Sequence, residues 1–249
     1  MLEVVIGFII ALCIGLTGVG GGTLTTPLLI LALGVPPEVA VGTALLFSML
    51  AKIPAGWVYW QKQGVNWQAL RLLLAGGIPA AVAGSLLLHS FKVHKEAVLA
   101  GIGLIILSVA VINLAITLRK LSPRPLAPQW IVVVAAFIGL EVGFSSAGAG
   151  ALGTLLLMSG TRLAPREIVG TDLWFGLGLS ALAGGLHAAL GQTDWLLLTK
   201  LACGGWIGSL LGAWLGQRVN QRPFRIGLLL WLMLIGSHLI LRGIPALAR

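Results

Sequence analysis

The sequence predicts an all-α integral membrane protein built from two homologous halves, and three observations carry that reading. The first is composition: the chain is 58% hydrophobic and only 9% charged, with a mean hydropathy of +1.03. A soluble domain carries roughly a quarter charged residues, so this chain has too little polar surface for water and its solvent is lipid. The second is run length. Its apolar stretches are too long for barrel strands and lack alternation, which leaves helix as the only spanning option. The third is a glycine-rich segment inside apolar sequence that occurs twice. Gly15-Leu16-Thr17-Gly18-Val19-Gly20-Gly21-Gly22-Thr23 precedes Pro27-Leu28-Leu29, and Gly143-Phe144-Ser145-Ser146-Ala147-Gly148-Ala149-Gly150-Ala151 precedes Leu155-Leu156-Leu157.

A constant offset of about 128 residues relates the two copies and runs on without a gap. Pro37 falls on Pro165, Val41-Gly42-Thr43 on Val169-Gly170-Thr171, Ala55-Gly56 on Ala183-Gly184, and Trp67 on Trp195. The expected organisation is a first repeat over 1–118, a connector over 119–128 rich in Pro and Arg, and a second repeat over 129–249. Apolar runs are expected at 4–33, 38–60, 67–89 and 96–118, then at 129–160, 166–190, 195–217 and 223–242. The start, Met1-Leu2-Glu3-Val4, has no basic region before its apolar run and reads as an uncleaved membrane segment.

The first run of each half is interrupted by glycine. Thirty residues of straight helix would measure about 45 Å against a hydrocarbon core of about 30 Å. Each glycine weakens a helix by roughly 1 kcal/mol, so the clusters are natural breaks. The interrupted run either crosses once as a broken helix or folds back as a re-entrant hairpin. Basic residues favour the hairpin. Under it Lys62, Arg119, Lys120, Arg124, Arg162, Arg166, Arg218, Arg222 and Arg225 share one side, against Lys92, Lys95, Arg242 and Arg249. Three crossings then remain in each half, and the halves become an inverted pseudo-twofold repeat.

Paired breaks at matching positions are the pattern of a transporter with a central site. Each break exposes backbone N–H groups at the start of a half-helix, where about half a positive charge resides. The expected substrate-binding set is Thr17, Gly18, Gly20, Gly21, Gly22, Thr23, Thr43, Ser145, Ser146, Gly148, Gly150 and Thr171, a cradle for a small anion. Glycine's other role, close helix packing, is the competing explanation. Thr43 and Thr171 either donate to the ligand or bond back to their own helices.

Ionisable residues inside apolar runs are expensive and usually functional. Lys52 reads as attracting substrate or pairing with a carboxylate, against a lysine that snorkels to the interface. Glu141 reads as proton carrier or partner of Lys52, against a structural role. Asp172, whose counterpart is Ala44, carries a coupling proton if it faces the cavity. His187, which matches Tyr59, titrates or serves as hydrogen-bonded scaffold. Trp57, Trp60, Trp67, Trp130 and Trp195 suit an interfacial belt.

The formal charge of +9 does not point to nucleic acid, because the basic residues lie in short loops and form no contiguous face. Cys13 and Cys203 occupy apolar, unmatched positions, so neither a disulfide nor a metal site is expected. No nucleophile stands at a convincing spacing from a base, which argues against an enzyme, and no phosphate-loop lysine suggests a primary pump.

The glycine motif, with Pro36-Pro37, Ala40-Val41-Gly42-Thr43 and the Gly64-Val65-Asn66-Trp67 turn, resembles the sulfite exporter TauE/SafE family, also called the toluene sulfonate uptake permeases. The second copy extends the resemblance over nearly the whole chain. It implies a multi-pass carrier of the bacterial or archaeal inner membrane for sulfite, sulfonates, sulfoacetate, thiosulfate or carboxylates. This chain departs from the pattern at Ala44 and Asp172, where a hydroxyl residue is usual, and at Ser146, Ala147 and Ala149 of the second glycine motif. The expectation is a secondary transporter working by alternating access, with a passive anion channel as the alternative and an intramembrane enzyme behind it. Expected partners are a small anionic substrate, the bilayer, a coupling proton or sodium ion, and a second copy in a homodimer. No cofactor is expected.

Overall fold

The computed structural model describes residues 1–17, 20–91, 95–118, 125–148, 150–216 and 221–247. The first half contains α1 (Leu2–Thr17), α2 (Gly21–Leu33), α3 (Pro37–Gln61), α4 (Trp67–Phe91) and α5 (Lys95–Leu118). The second contains α6 (Pro128–Ser145), α7 (Ala151–Gly160), α8 (Pro165–Ala189), α9 (Trp195–Gly216) and α10 (Gln221–Leu247). No strand occurs among the described residues. Among the described residues seven helices, α3 to α6 and α8 to α10, are long and apolar enough to cross a membrane. The chain is a multi-pass membrane protein.

Both interrupted runs break where glycine was expected to break them, but unequally. The second run divides into 18 residues of α6 and 10 of α7. At 1.5 Å per residue α6 alone approaches the thickness of the hydrocarbon core, about 30 Å. The sequence suggested two short arms; the late position of the turn at Ser146 makes one arm long enough to span.

Packing between helices obeys the repeat. α1 packs chiefly on α9, and its counterpart α6 on α4. α5 packs on α10 and α3 on α8, each against its own counterpart. These contacts bring backbone against backbone. A Cβ on Gly204 of α9 would overlap the Val4 carbonyl of α1, and one on Gly76 of α4 would overlap the matching Val132 carbonyl of α6. Gly205 and Gly77 face the rings of Phe47 and Phe175, again a matched pair. Lipid supplies no hydrophobic drive between helices, so close approach at small residues does the holding.

Helix directions follow from the loop contacts. The Arg166 guanidinium, at the start of α8, donates to the Lys62 carbonyl just past the end of α3. The Asn66 N–H donates to Thr171 Oγ1 at 2.9 Å, and the Asp194 N–H to Thr43 Oγ1 at 3.1 Å. The start of each of these two helices therefore meets the end of the other, and α3 and α8 run antiparallel. The Leu126 N–H donates to the Gly160 carbonyl at 2.8 Å, which sets the end of α7 beside the start of α6.

Replacing Gly76 or Gly204 with leucine is expected to cost at least about 1–3 kcal/mol through overpacking. Gly185, which has nothing within 4 Å of a built Cβ, is the control. Thermal unfolding in detergent should rank Gly185→Leu close to the parent chain and both other variants well below it.

Candidate functional site at the paired helix breaks

The two breaks meet in the middle of the protein. Gly20 caps α2 and Gly150 caps α7, and neither N-terminus receives a side-chain cap. A Cβ on Gly150 would stand 3.1 Å from the Gly20 Cα, and one on Gly22 would overlap the Ser146 carbonyl. Only glycine admits this approach. The α6 break turns through left-handed backbone at Ser146 (φ 61), Gly148 (φ 77) and Gly150 (φ 107). Ser146, a serine where the first half has Gly18, carries a cost of roughly 1–2 kcal/mol in that conformation. Its hydroxyl offsets this by bonding Thr26 Oγ1 and the Gly22 carbonyl, the latter at 3.3 Å.

Many of the residues expected to cradle a ligand instead hold the breaks together. The Gly148 N–H donates to Thr23 Oγ1 at 3.3 Å. Ser145 Oγ lies 2.9 Å from Glu141 Oε1 as donor and accepts the Ala147 N–H at 3.1 Å. Gly18 and the side chain of Thr17 lie outside the described residues. Thr43 and Thr171 sit apart from the breaks. Each accepts an N–H from a residue that caps a helix of the opposite half, since Asn66 Oδ1 accepts the Ala69 N–H and Asp194 Oδ1 the Leu197 N–H. Gly42 and Gly170 beside them admit the carbonyls of Gln192 and Gly64. The repeated Val-Gly-Thr motif is thus an inter-repeat clasp.

The ionisable residues separate into two groups. Lys52, on α3, is 7% exposed and its Nζ has no hydrogen-bond partner. Ser48, one turn earlier and 2% exposed, points its unpartnered Oγ at Gly21, the first residue of α2. Asp172, on α8 and 5% exposed, accepts Thr154 Oγ1–H at 2.7 Å through Oδ2. Its Oδ1 lies against Gly153 in the first turn of α7 and has no partner. Lys52 and Asp172 act on each other electrostatically without a hydrogen bond between them.

Glu141 and His187 belong elsewhere. Glu141 accepts from Ser145 through Oε1, has its Oε2 buried against Gly148 without a partner, and lines an apolar groove of about 540 Å³ between α5, α6 and α7. His187 Nδ1 lies 2.7 Å from Gln192 Oε1 and its Nε2 lies 3.1 Å from the Gly143 carbonyl. Gln192 Nε2 lies 2.9 Å from His89 Nδ1, which completes a buried polar chain from the end of α4 to α6. Trp57, Trp60, Trp67, Trp130 and Trp195 are all exposed, as an interfacial belt requires.

Sequence reasoning missed Ser48, Thr26, Thr154 and Gln192. Thr26 and Thr154 carried a signal, because the repeat offset places one on the other. Ser48 carried only its spacing of one helical turn from Lys52.

A model of the sulfite exporter TauE/SafE family matches residues 3–239. The chain belongs to that family. It is a multi-pass membrane transporter of the TauE/SafE group. It is 30% identical to the "Probable membrane transporter protein YjnA" of Bacillus subtilis, over 95% of this chain and 98% of that protein. It is 26% identical to the YunE protein of the same organism, over 97% of both chains. A probable membrane transporter protein of Xylella fastidiosa is 27% identical over 86% of this chain and 84% of its own length. No solved structure matches.

Thr43→Val and Thr171→Val each remove the acceptor of a part-buried loop N–H, at an expected cost of about 1 kcal/mol. Thermal unfolding should show a lowered midpoint for both variants and a larger loss when they are combined.

Proposed function

We propose that this TauE/SafE-family transporter is a secondary carrier for a small sulfur-containing or carboxylated anion, working by alternating access at the paired breaks. One observation carries the reading. Ser48 Oγ, against the uncapped N-terminus of α2, and Lys52 Nζ, one turn further along α3, are both buried without partners. Buried polar groups are almost always satisfied, and an unpaired ammonium in a lipid-embedded core is especially costly. The missing partner has to accept hydrogen bonds and carry negative charge. An oxyanion does both, and the free N–H groups of α2 add donors and a favourable dipole.

Helix direction supports an inverted repeat for this carrier. α3 and α8 are counterparts that run antiparallel, so the axis relating the halves lies across the helices. The Leu126–Gly160 hydrogen bond supports re-entry of the α6–α7 segment, which starts and finishes at neighbouring points. The basic loops support a cytoplasmic position for that face, and family membership supports the inner membrane as its location. The junction between the halves is the surface along which access would switch. Asp172 is the group best placed to link transport to a proton or sodium ion, because it is buried against the start of α7 and acts electrostatically on Lys52.

Uptake of radiolabelled sulfite, thiosulfate and sulfoacetate into proteoliposomes, with and without a pH gradient, tests the carrier. Saturable uptake is expected, with loss in Lys52→Met and in Gly21→Leu, where the new side chain would displace Ser48. Uptake unchanged by either variant would overturn the assignment of the site. Cysteine labels at Met1 and near Gly34 should report the same side of the membrane. Opposite sides would contradict the re-entrant inverted arrangement while leaving transport intact.

A further inference from the structure

The repeat makes the two half-helix N-termini equivalent by descent, yet the side chains around them are opposite in character. α2 meets Ser48, with Lys52 one turn further along α3. α7 meets Asp172, which the repeat places opposite Ala44, and holds it through Thr154. The site therefore has a cationic, donor-rich end and an anionic, acceptor end. Both ends have atoms without a partner: Lys52 Nζ and Ser48 Oγ on one side, and Asp172 Oδ1 on the other. No ion pair joins Lys52 to Asp172, although each acts on the other electrostatically.

A simple anion satisfies only half of this arrangement. Its oxygens would accept from Lys52, Ser48 and the α2 amides, but it would leave Asp172 Oδ1 unpaired and would bring like charges together. A ligand that satisfies both ends has anionic oxygens and, a few bonds away, an O–H or N–H that donates to Asp172. We propose that the site selects small oxyanions that also carry a hydrogen-bond donor, with Asp172 reading the donor and Lys52 with Ser48 reading the anionic head. This specificity rests on the anion-carrier reading above and narrows it.

Charge balance favours the same ligands. With Lys52 and Asp172 both ionised the site carries no net charge, which suits a zwitterion best; a hydroxylated oxyanion gains only the hydrogen bond to the carboxylate. Glu141 does not enter this balance, because it bonds Ser145 through Oε1 and lines the separate groove between α5, α6 and α7. His187 is bonded to Gln192 and to the Gly143 carbonyl, apart from Asp172.

The test compares ethanesulfonate, 2-hydroxyethanesulfonate and 2-aminoethanesulfonate by titration calorimetry on the full chain in detergent. The sulfonate is constant, and the terminal group carries no donor, a hydroxyl or an ammonium. In the parent chain the donor-bearing ligands should bind about tenfold more tightly than ethanesulfonate, the gain typical of a hydrogen bond to a charged group. The stronger of the two identifies whether the donor is a hydroxyl or an ammonium. In Asp172→Asn the ranking should flatten, and in Lys52→Met all three should weaken together. Equal affinities in the parent chain would overturn this specificity and leave the anion carrier standing, and that comparison needs no variant to fold. A ranking that survives Asp172→Asn would overturn the role of Asp172. Binding of none of the three, nor of sulfite, would overturn the anion reading itself.

Discussion

Everything in this protein depends on where the backbone polar groups freed at two broken helices find partners. In lipid an unsatisfied N–H or C=O costs several kcal/mol, so a break is tolerated only when protein or a wet cavity receives it. Here each break is received by the other. Ser146 bonds Thr26 and Gly22, and the Gly148 N–H bonds Thr23. Glycine at positions 20, 22 and 150 permits the contact, because a Cβ on Gly22 or Gly150 would meet the opposite break. What the mutual arrangement leaves over is the start of α2 with its two unpartnered neighbours, Ser48 and Lys52.

The rest of the fold supports that meeting point from both ends. The clasps at Thr43 and Thr171 fix loops of one half to helix starts of the other. Glycine-lined contacts of α1 with α9 and of α4 with α6 anchor the long arm of each break to a helix of the opposite half. The short arms pack chiefly on their own half, α2 on α3 and α7 on α8, so each broken segment is shared between the two halves.

Much of this was legible in the sequence. Hydropathy and glycine placement marked the helices and both breaks, and the offset of the repeat marked Gly42 with Gly170 and Thr43 with Thr171 as matched positions without showing what they touch. Side-chain roles were less legible, because a hydroxyl near a break is equally suited to a ligand or to the facing break. Ser145, Ser146 and Thr23 proved to bond protein, and Thr43 and Thr171 to cap loops more than a hundred residues away. Ser48 was invisible for a different reason. A serine in an apolar run usually bonds back to its own helix, as Ser85, Ser90 and Ser108 do here. Its failure to do so is a property of the packed structure. The functional asymmetry of the halves was half visible: Lys52 and Asp172 stood out as unmatched charges, but only the fold sets them about one site.

The central claim is that Ser48 lines a substrate site reached in turn from both faces of the membrane. Its most direct test is substrate-protected labelling of Ser48→Cys by an impermeant thiol reagent, applied separately to each face of oriented vesicles with Cys13 and Cys203 replaced by alanine. The account predicts labelling from both faces and protection by the transported anion. A position that reacts from neither face, or that reacts without protection by any transported anion, would contradict it.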